Sequence, residues 1–126
     1  MKNSFILKKC NKCGALVEVL QDCTCENCGV KCCGEEMKII KENSVEASVE
    51  KHKPEYKVMG NYIIVTVNHV MEEEHFIDFV AIDADSLTAK KFFKIGENPT
   101  AIFPYVKGSK IYSYCNKHGL WSTIVE

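Results

Sequence analysis

Seven of the eight cysteines in this 126-residue chain fall between Cys10 and Cys33. A segment so rich in thiols has few ways to fold. Residues 1–38 offer only a small apolar set, Phe5, Ile6, Leu7, Leu16, Val17, Val19 and Leu20. A stretch of under about 40 residues with so little to bury needs a metal, disulfides or a partner to hold its shape. The apolar run in residues 1–9 is too short for a signal peptide, so the chain is expected in the cytoplasm. Thiols stay reduced there, and metal ligation becomes the better use of these cysteines than a disulfide knot.

Cys10-Asn11-Lys12-Cys13-Gly14 is a CxxC followed by glycine. Two thiolates at that spacing can face one ion, and the glycine lets the chain turn closely around the sulfurs. The second pair is either Cys25 and Cys28, another CxxC before Gly29, or the adjacent Cys32 and Cys33 before Gly34. Spacing alone favours Cys25 and Cys28, because neighbouring cysteines reach one ion only through a strained backbone. A tetrathiolate site of either kind suits iron or zinc.

From residue 39 the texture changes, and two domains are expected, 1–38 and 39–126. Apolar, strand-like runs at 45–49, 62–67, 75–82, 90–95, 101–106 and 110–114 alternate with Gly-, Asn- and Pro-bearing turns. Several short strands in under 90 residues predict an antiparallel β-sandwich. With 46% apolar and 26% charged residues the chain is neither disordered nor collagen-like. Sixteen basic residues, all Lys, nearly balance seventeen acidic ones, which argues against a nucleic-acid or membrane-surface binder. No apolar run approaches the roughly 18 residues needed to span a bilayer.

The four histidines, His52, His69, His75 and His118, narrow the chemistry. A lone histidine is ordinarily a surface or satisfied core residue, but these sit in unusual contexts. His69 and His75 flank the loop Val70-Met71-Glu72-Glu73-Glu74 between two apolar strands. His118 lies three residues after Cys115, the one cysteine remote from the others, and His52 precedes a strand-stopping Pro54. One thiolate with up to four neutral imidazoles is a plausible set for a transition metal.

Three segments, Glu50-Lys51-His52-x-Pro54, His69-x-Met71-x-x-x-His75 and Cys115-Asn116-x-His118-Gly119-Leu120-Trp121, resemble the motifs of superoxide reductases and occur in that family's order. With the front cysteines, the whole chain resembles the two-domain desulfoferrodoxin form. The resemblance implies a desulforedoxin-like FeS4 module followed by an immunoglobulin-like β-sandwich (the neelaredoxin-like domain), and a homodimer. It implies a catalytic iron held by His52, His69, His75 and His118 in one plane with Cys115 on the axis. For the front site it implies Cys10, Cys13, Cys32 and Cys33, against the spacing preference for Cys25 and Cys28. Cys23, Cys25 and Cys28 are additions to the family's usual pattern, and Val70 stands where the family often has Pro.

The implied reaction is the reduction of superoxide by one electron and two protons to hydrogen peroxide, without release of oxygen. Rubredoxin or another small reductase would supply the electron. Lys51 adds positive charge beside His52 and can guide the anion, and the resemblance assigns Glu50 the role of an anionic sixth ligand after electron transfer. Two other classes compete. Cys115-x-x-His118 on a β-sandwich is similar to a cupredoxin loop, but no Met follows His118 to complete a blue-copper set. A zinc-ribbon interaction module would leave the four histidines and Cys115 without a role.

Overall fold

A computed structural model describes residues 5–26, 28–44 and 52–126. The expected strand at 45–49, together with Glu50 and Lys51, lies outside the described residues. Among those described there are twelve β-strands, every pairing between them is antiparallel, and the fold is all-β. No helix among them is long and apolar enough to cross a membrane. The chain divides into two compact units, Met1–Lys41 and Glu42–Glu126. The division falls three residues beyond the boundary expected after residue 38, because Lys38 and Ile39 pair with the first strand.

In the first unit β1 (Ile6–Lys9) lies between β2 (Leu16–Val19) and β5 (Lys38–Ile39), and β3 (Lys31–Cys32) forms a hairpin with β4 (Glu35–Glu36). The buried apolar set is small: Phe5, Leu7, Cys10, Val19 and Met37. Lys8 is buried as well, which is tolerable because its ammonium is paired with Asp22 at 3.1 Å. That ammonium holds the Asp22 carboxyl below its ordinary value.

The second unit packs a sheet of order β10-β7-β6 against one of order β12-β11-β8-β9. Their ranges are β6 Glu55–Met59, β7 Tyr62–Thr66, β8 Ile77–Asp83, β9 Thr88–Phe92, β10 Thr100–Pro104, β11 Lys110–Cys115 and β12 Gly119–Ile124. Alternation explains the pairing of faces: in β7, Ile63 and Val65 turn inward, and in β10, Ala101 and Phe103 do so. They meet Ile77, Val80, Ile82, Ile111, Cys115 and Val125 in one core. Burying each such Ile or Val contributes about 1.5–3 kcal/mol, which makes this core the rigid base for the site. Two strands escape the sequence pattern. β6 is almost wholly exposed and so shows no alternation, and β12 is occupied by the Gly-Leu-Trp run that reads as motif rather than strand.

Candidate metal centres

Two turns assemble the front cluster. In the first, the Gly14 amide donates to the Cys10 carbonyl at 3.0 Å and the Cys10 amide to the Ala15 carbonyl at 2.9 Å, closing a knuckle over which the Cys13 amide donates to the Cys10 sulfur at 3.4 Å. The second is the two-residue β3–β4 loop, in which Cys33 and Gly34 both have positive φ, 53° and 77°. That is the backbone of a tight primed hairpin turn, ordinarily costly for a residue with a side chain. The strain foreseen for adjacent cysteines is real, and it sits at Cys33. It turns two successive sulfurs toward one point: Cys13 Sγ lies 3.6 Å from Cys32 Sγ, which is 3.9 Å from Cys33 Sγ. The four sulfurs of Cys10, Cys13, Cys32 and Cys33 all lie within 4.8 Å of one another. Cys25 and Cys28 are joined to each other as a disulfide instead.

Four thiols so close cannot all ionise without a cation. Backbone amides from Cys13 and Lys12 stabilise the Cys10 thiolate and bring its pKa down to about 6. Hydrogen bonding to Cys13 and Cys10 pushes Cys32 up to about 12, and Cys33 is raised chiefly by Cys13. A bound cation removes this conflict.

The second cluster lies at the ends of strands in the sandwich. Between Tyr114 and Cys115 the β11–β8 register slips, so that Tyr114 faces Phe79 but Cys115 faces Ile77. Such a bulge re-aims a side chain. Here it leaves Cys115 fully buried in the core. Gly119, with φ 79°, closes the turn opposite Cys115 and brings His118 back over it. The His118 amide donates to the Cys115 sulfur at 3.3 Å.

Around that sulfur the imidazoles form a square. Successive ring centroids are 4.7 Å apart from His52 to His69, 4.6 Å from His69 to His75, 5.1 Å from His75 to His118 and 4.8 Å from His118 to His52. The diagonal from His52 to His75 is 6.2 Å. His69 Nδ1 is held by the Val70 carbonyl at 2.6 Å, which leaves Nε2 to point inward, 3.5 Å from the Cys115 sulfur. His118 turns Nδ1 inward, 3.9 Å from that sulfur and 2.9 Å from His52 Nε2. The donor atoms of His52, His75, His118 and Cys115 lie within 4.8 Å of one another.

His75 Nε2 is buried without a hydrogen-bond partner. An orphaned buried nitrogen is costly, and a metal ion at the centre of the square would satisfy it. Burial is also the main reason that His69 and His75 are held below the ordinary imidazole value, in the neutral form that ligates. Cys115 and His52 are buried, while His69, His75 and His118 are half-buried, so the cluster is partly open to solvent through the imidazoles rather than through the sulfur.

Three residues to which sequence reasoning assigns no role hold the square in shape. Asn116 clamps the loop bearing His75: its Oδ1 accepts from the Phe76 amide and its Nδ2 donates to the Glu74 carbonyl, both at 2.9 Å. Trp121 stacks on His52 at 5.2 Å and donates from Nε1 to the His118 carbonyl at 3.1 Å. Ser113, fully buried, donates from its hydroxyl to the His52 carbonyl. Asn116 and Trp121 stood inside a recognised motif. Ser113 had one faint signal, a small polar residue at an inward strand position.

A sandwich that presents four histidines and a cysteine, joined to a four-cysteine knuckle, defines an all-β metalloprotein with two chemically different centres. Comparison with known proteins narrows the class. The sequence model of the desulfoferrodoxin family matches residues 43–124. A desulfoferrodoxin of Syntrophotalea carbinolica is 40% identical over 127 residues, covering 98% of each chain. Another, of Nitratidesulfovibrio vulgaris, is 40% identical over 126 residues, covering 96% of this chain and 97% of its own. The crystal structure of superoxide reductase from Treponema pallidum matches with a TM-score of 0.69 at 26% identity, covering 95% of this chain and 97% of that one. The chain belongs to the desulfoferrodoxin family. Its two donor sets fit the iron centres of such proteins.

Proposed function

We propose that this protein is a superoxide reductase, with iron held by His52, His69, His75, His118 and Cys115 and a second iron held by Cys10, Cys13, Cys32 and Cys33. The observation that carries the reading is the square of imidazoles around one buried sulfur, with three of the four rings half-buried. Bound iron would supply the single electron that, with two protons, takes superoxide to hydrogen peroxide.

The residues do the rest. Four neutral imidazoles and one thiolate would bring a single negative charge to a divalent ion, leaving the site positive toward a small anion. Cys115 would donate electron density to that ion, and the His118 amide fixes the direction of its sulfur. Core packing behind Cys115 excludes water there. Lys51, next to His52 in the sequence, would add positive charge that guides the anion. Glu50, two residues before His52, would supply the anionic ligand that the family resemblance assigns it.

The four-cysteine module, residues 1–38 as read from the sequence, chiefly staples the fold and a homodimer, for its buried apolar set is too small to stand alone. The neelaredoxin-like domain, residues 39–126, carries the reaction. The electron comes from rubredoxin or another small reductase in the cytoplasm. Product stoichiometry tests the reading. Pre-reduced protein should yield one peroxide per superoxide consumed with no oxygen evolved. Evolution of oxygen would mark a dismutase and overturn it.

A further inference from the structure

The front unit has seven cysteines, and its convergent cluster uses four of them. Cys23, Cys25 and Cys28 remain, on a loop anchored at both ends. At one end Asp22 Oδ1 accepts from the Cys23 amide at 2.9 Å and from the buried Lys8 ammonium at 3.1 Å. At the other, the Met37 amide donates to the Val30 carbonyl at 2.8 Å, and Gly29 packs so closely on Glu36 that an added Cβ would stand 2.6 Å from its carboxylate. Between these anchors Cys25 and Cys28 are bridged, and the Cys23 thiol, outside the bridge, donates to the Cys28 backbone carbonyl at 3.7 Å.

Two features separate this bridge from a structural staple. It closes a ring of only four residues, and chain-entropy stabilisation is least for the shortest loops. Cys23 and Cys25 are exposed and Cys28 only half-buried, and exposed disulfides are the labile ones. Nor does the loop read as a third metal site, since among the described residues the convergent donor clusters are the two already described.

We propose that Cys25 and Cys28 form a reversible dithiol–disulfide pair oxidised by hydrogen peroxide, with Cys23 as a third thiol able to exchange with it. One thiolate attacks peroxide, the O–O bond breaks, and a sulfenic acid and one water form. The second thiol then attacks the sulfenic sulfur, forming the S–S bond and releasing a second water. Two thiols lose two electrons in all, and one peroxide becomes two waters. Only the origin of the peroxide rests on the proposed function; the site itself does not.

The test uses the iron-loaded full chain, reduced with dithiothreitol and desalted, to which hydrogen peroxide is added as a reagent. Thiols are then labelled with maleimide under denaturing conditions and mapped by peptide mass spectrometry. The expected result is a loss of label at Cys25 and Cys28 that dithiothreitol restores, with the tetrathiolate absorption retained. Cys25→Ser with Cys28→Ser should abolish that reversible loss at unchanged metal content. Cys23→Ser should retain it while removing every bridged species that contains Cys23. Persistent labelling of Cys25 and Cys28 in excess peroxide would overturn the proposal. So would a drop in metal content in the double variant, which would make them ligands. Because peroxide is supplied, neither outcome depends on whether the protein reduces superoxide.

Discussion

The first unit gathers four sulfurs with two tight turns and almost no core, whereas the second sets one sulfur and four imidazoles on a sandwich with a closed core. In the first, the ligands are the fold: Cys10 is itself one of its few buried residues, and Cys33 adopts a left-handed backbone that the unit has little packing to enforce. In the second, packing comes first. A bulge buries Cys115, and hydrogen bonds and stacking from Ser113, Asn116 and Trp121 orient the loops that carry the histidines. A site made only of ligands is suited to be closed and structural. A site supported from behind can leave one face accessible for a reactant.

The comparison can be broken most sharply at Cys115. Replacing it with Ser removes the one anionic donor of the second site, so the thiolate-to-iron charge-transfer band should vanish. Superoxide reduction should fall by more than the roughly 10–100-fold typical of losing a supporting contact. The tetrathiolate spectrum should be unchanged. Cys13→Ser makes the reciprocal break. The front chromophore should be lost and that unit destabilised, because metal binding is folding free energy in so small a module, while the reduction rate stays close to wild type. Equal damage to both spectra in either variant would erase the distinction between the two regions.

Asn116→Ala sharpens the claim that packing positions the histidines. It cuts the clamp on the His75 loop but touches no donor atom. Iron affinity at the second site should fall about 10–100-fold, with the charge-transfer band still present once the site is saturated. An unchanged affinity would mean that the square holds its shape without that support.

How much of this was legible in the sequence follows from the same contrast. The front ligands are local, so CxxC-Gly and Cys-Cys-Gly announce them. What spacing could not settle was which pair completes the set. That depends on positive φ at Cys33, a property of the β3–β4 turn rather than of a spacing rule. In the sandwich, apolar runs between turn signals revealed five strands, β7 to β11. They missed β6, an exposed edge, and β12, whose Gly-Leu-Trp start reads as motif. The histidines were visible as residues and through a family resemblance. Their square depends on where β11 slips against β8 and on contacts such as Ser113 to His52, 61 residues apart.

Smaller effects refine the picture. Lys51→Ala should leave both spectra intact, lower the second-order rate with superoxide and flatten its dependence on ionic strength, because one positive charge is removed next to His52 in the sequence. If rate and salt slope were both untouched, Lys51 would be an ordinary surface lysine. Acid should also separate the two regions in metal-free protein. Burial holds His69 and His75 below 6.5 in the fold. The unfolded chain therefore binds more protons below that pH, and stability is lost as pH falls. The melting temperature of the second unit should decline from pH 6.5 to about pH 5. A flat profile would show that the imidazoles titrate freely.

The most direct test of two unlike centres on one chain is Mössbauer spectroscopy of the full-length protein loaded with isotopically enriched iron. The account predicts two subspectra of equal area, one of a tetrathiolate iron and one of an iron with mixed nitrogen and sulfur donors. Cys13→Ser should remove only the first. A single iron environment, or loss of both subspectra in that variant, would contradict it.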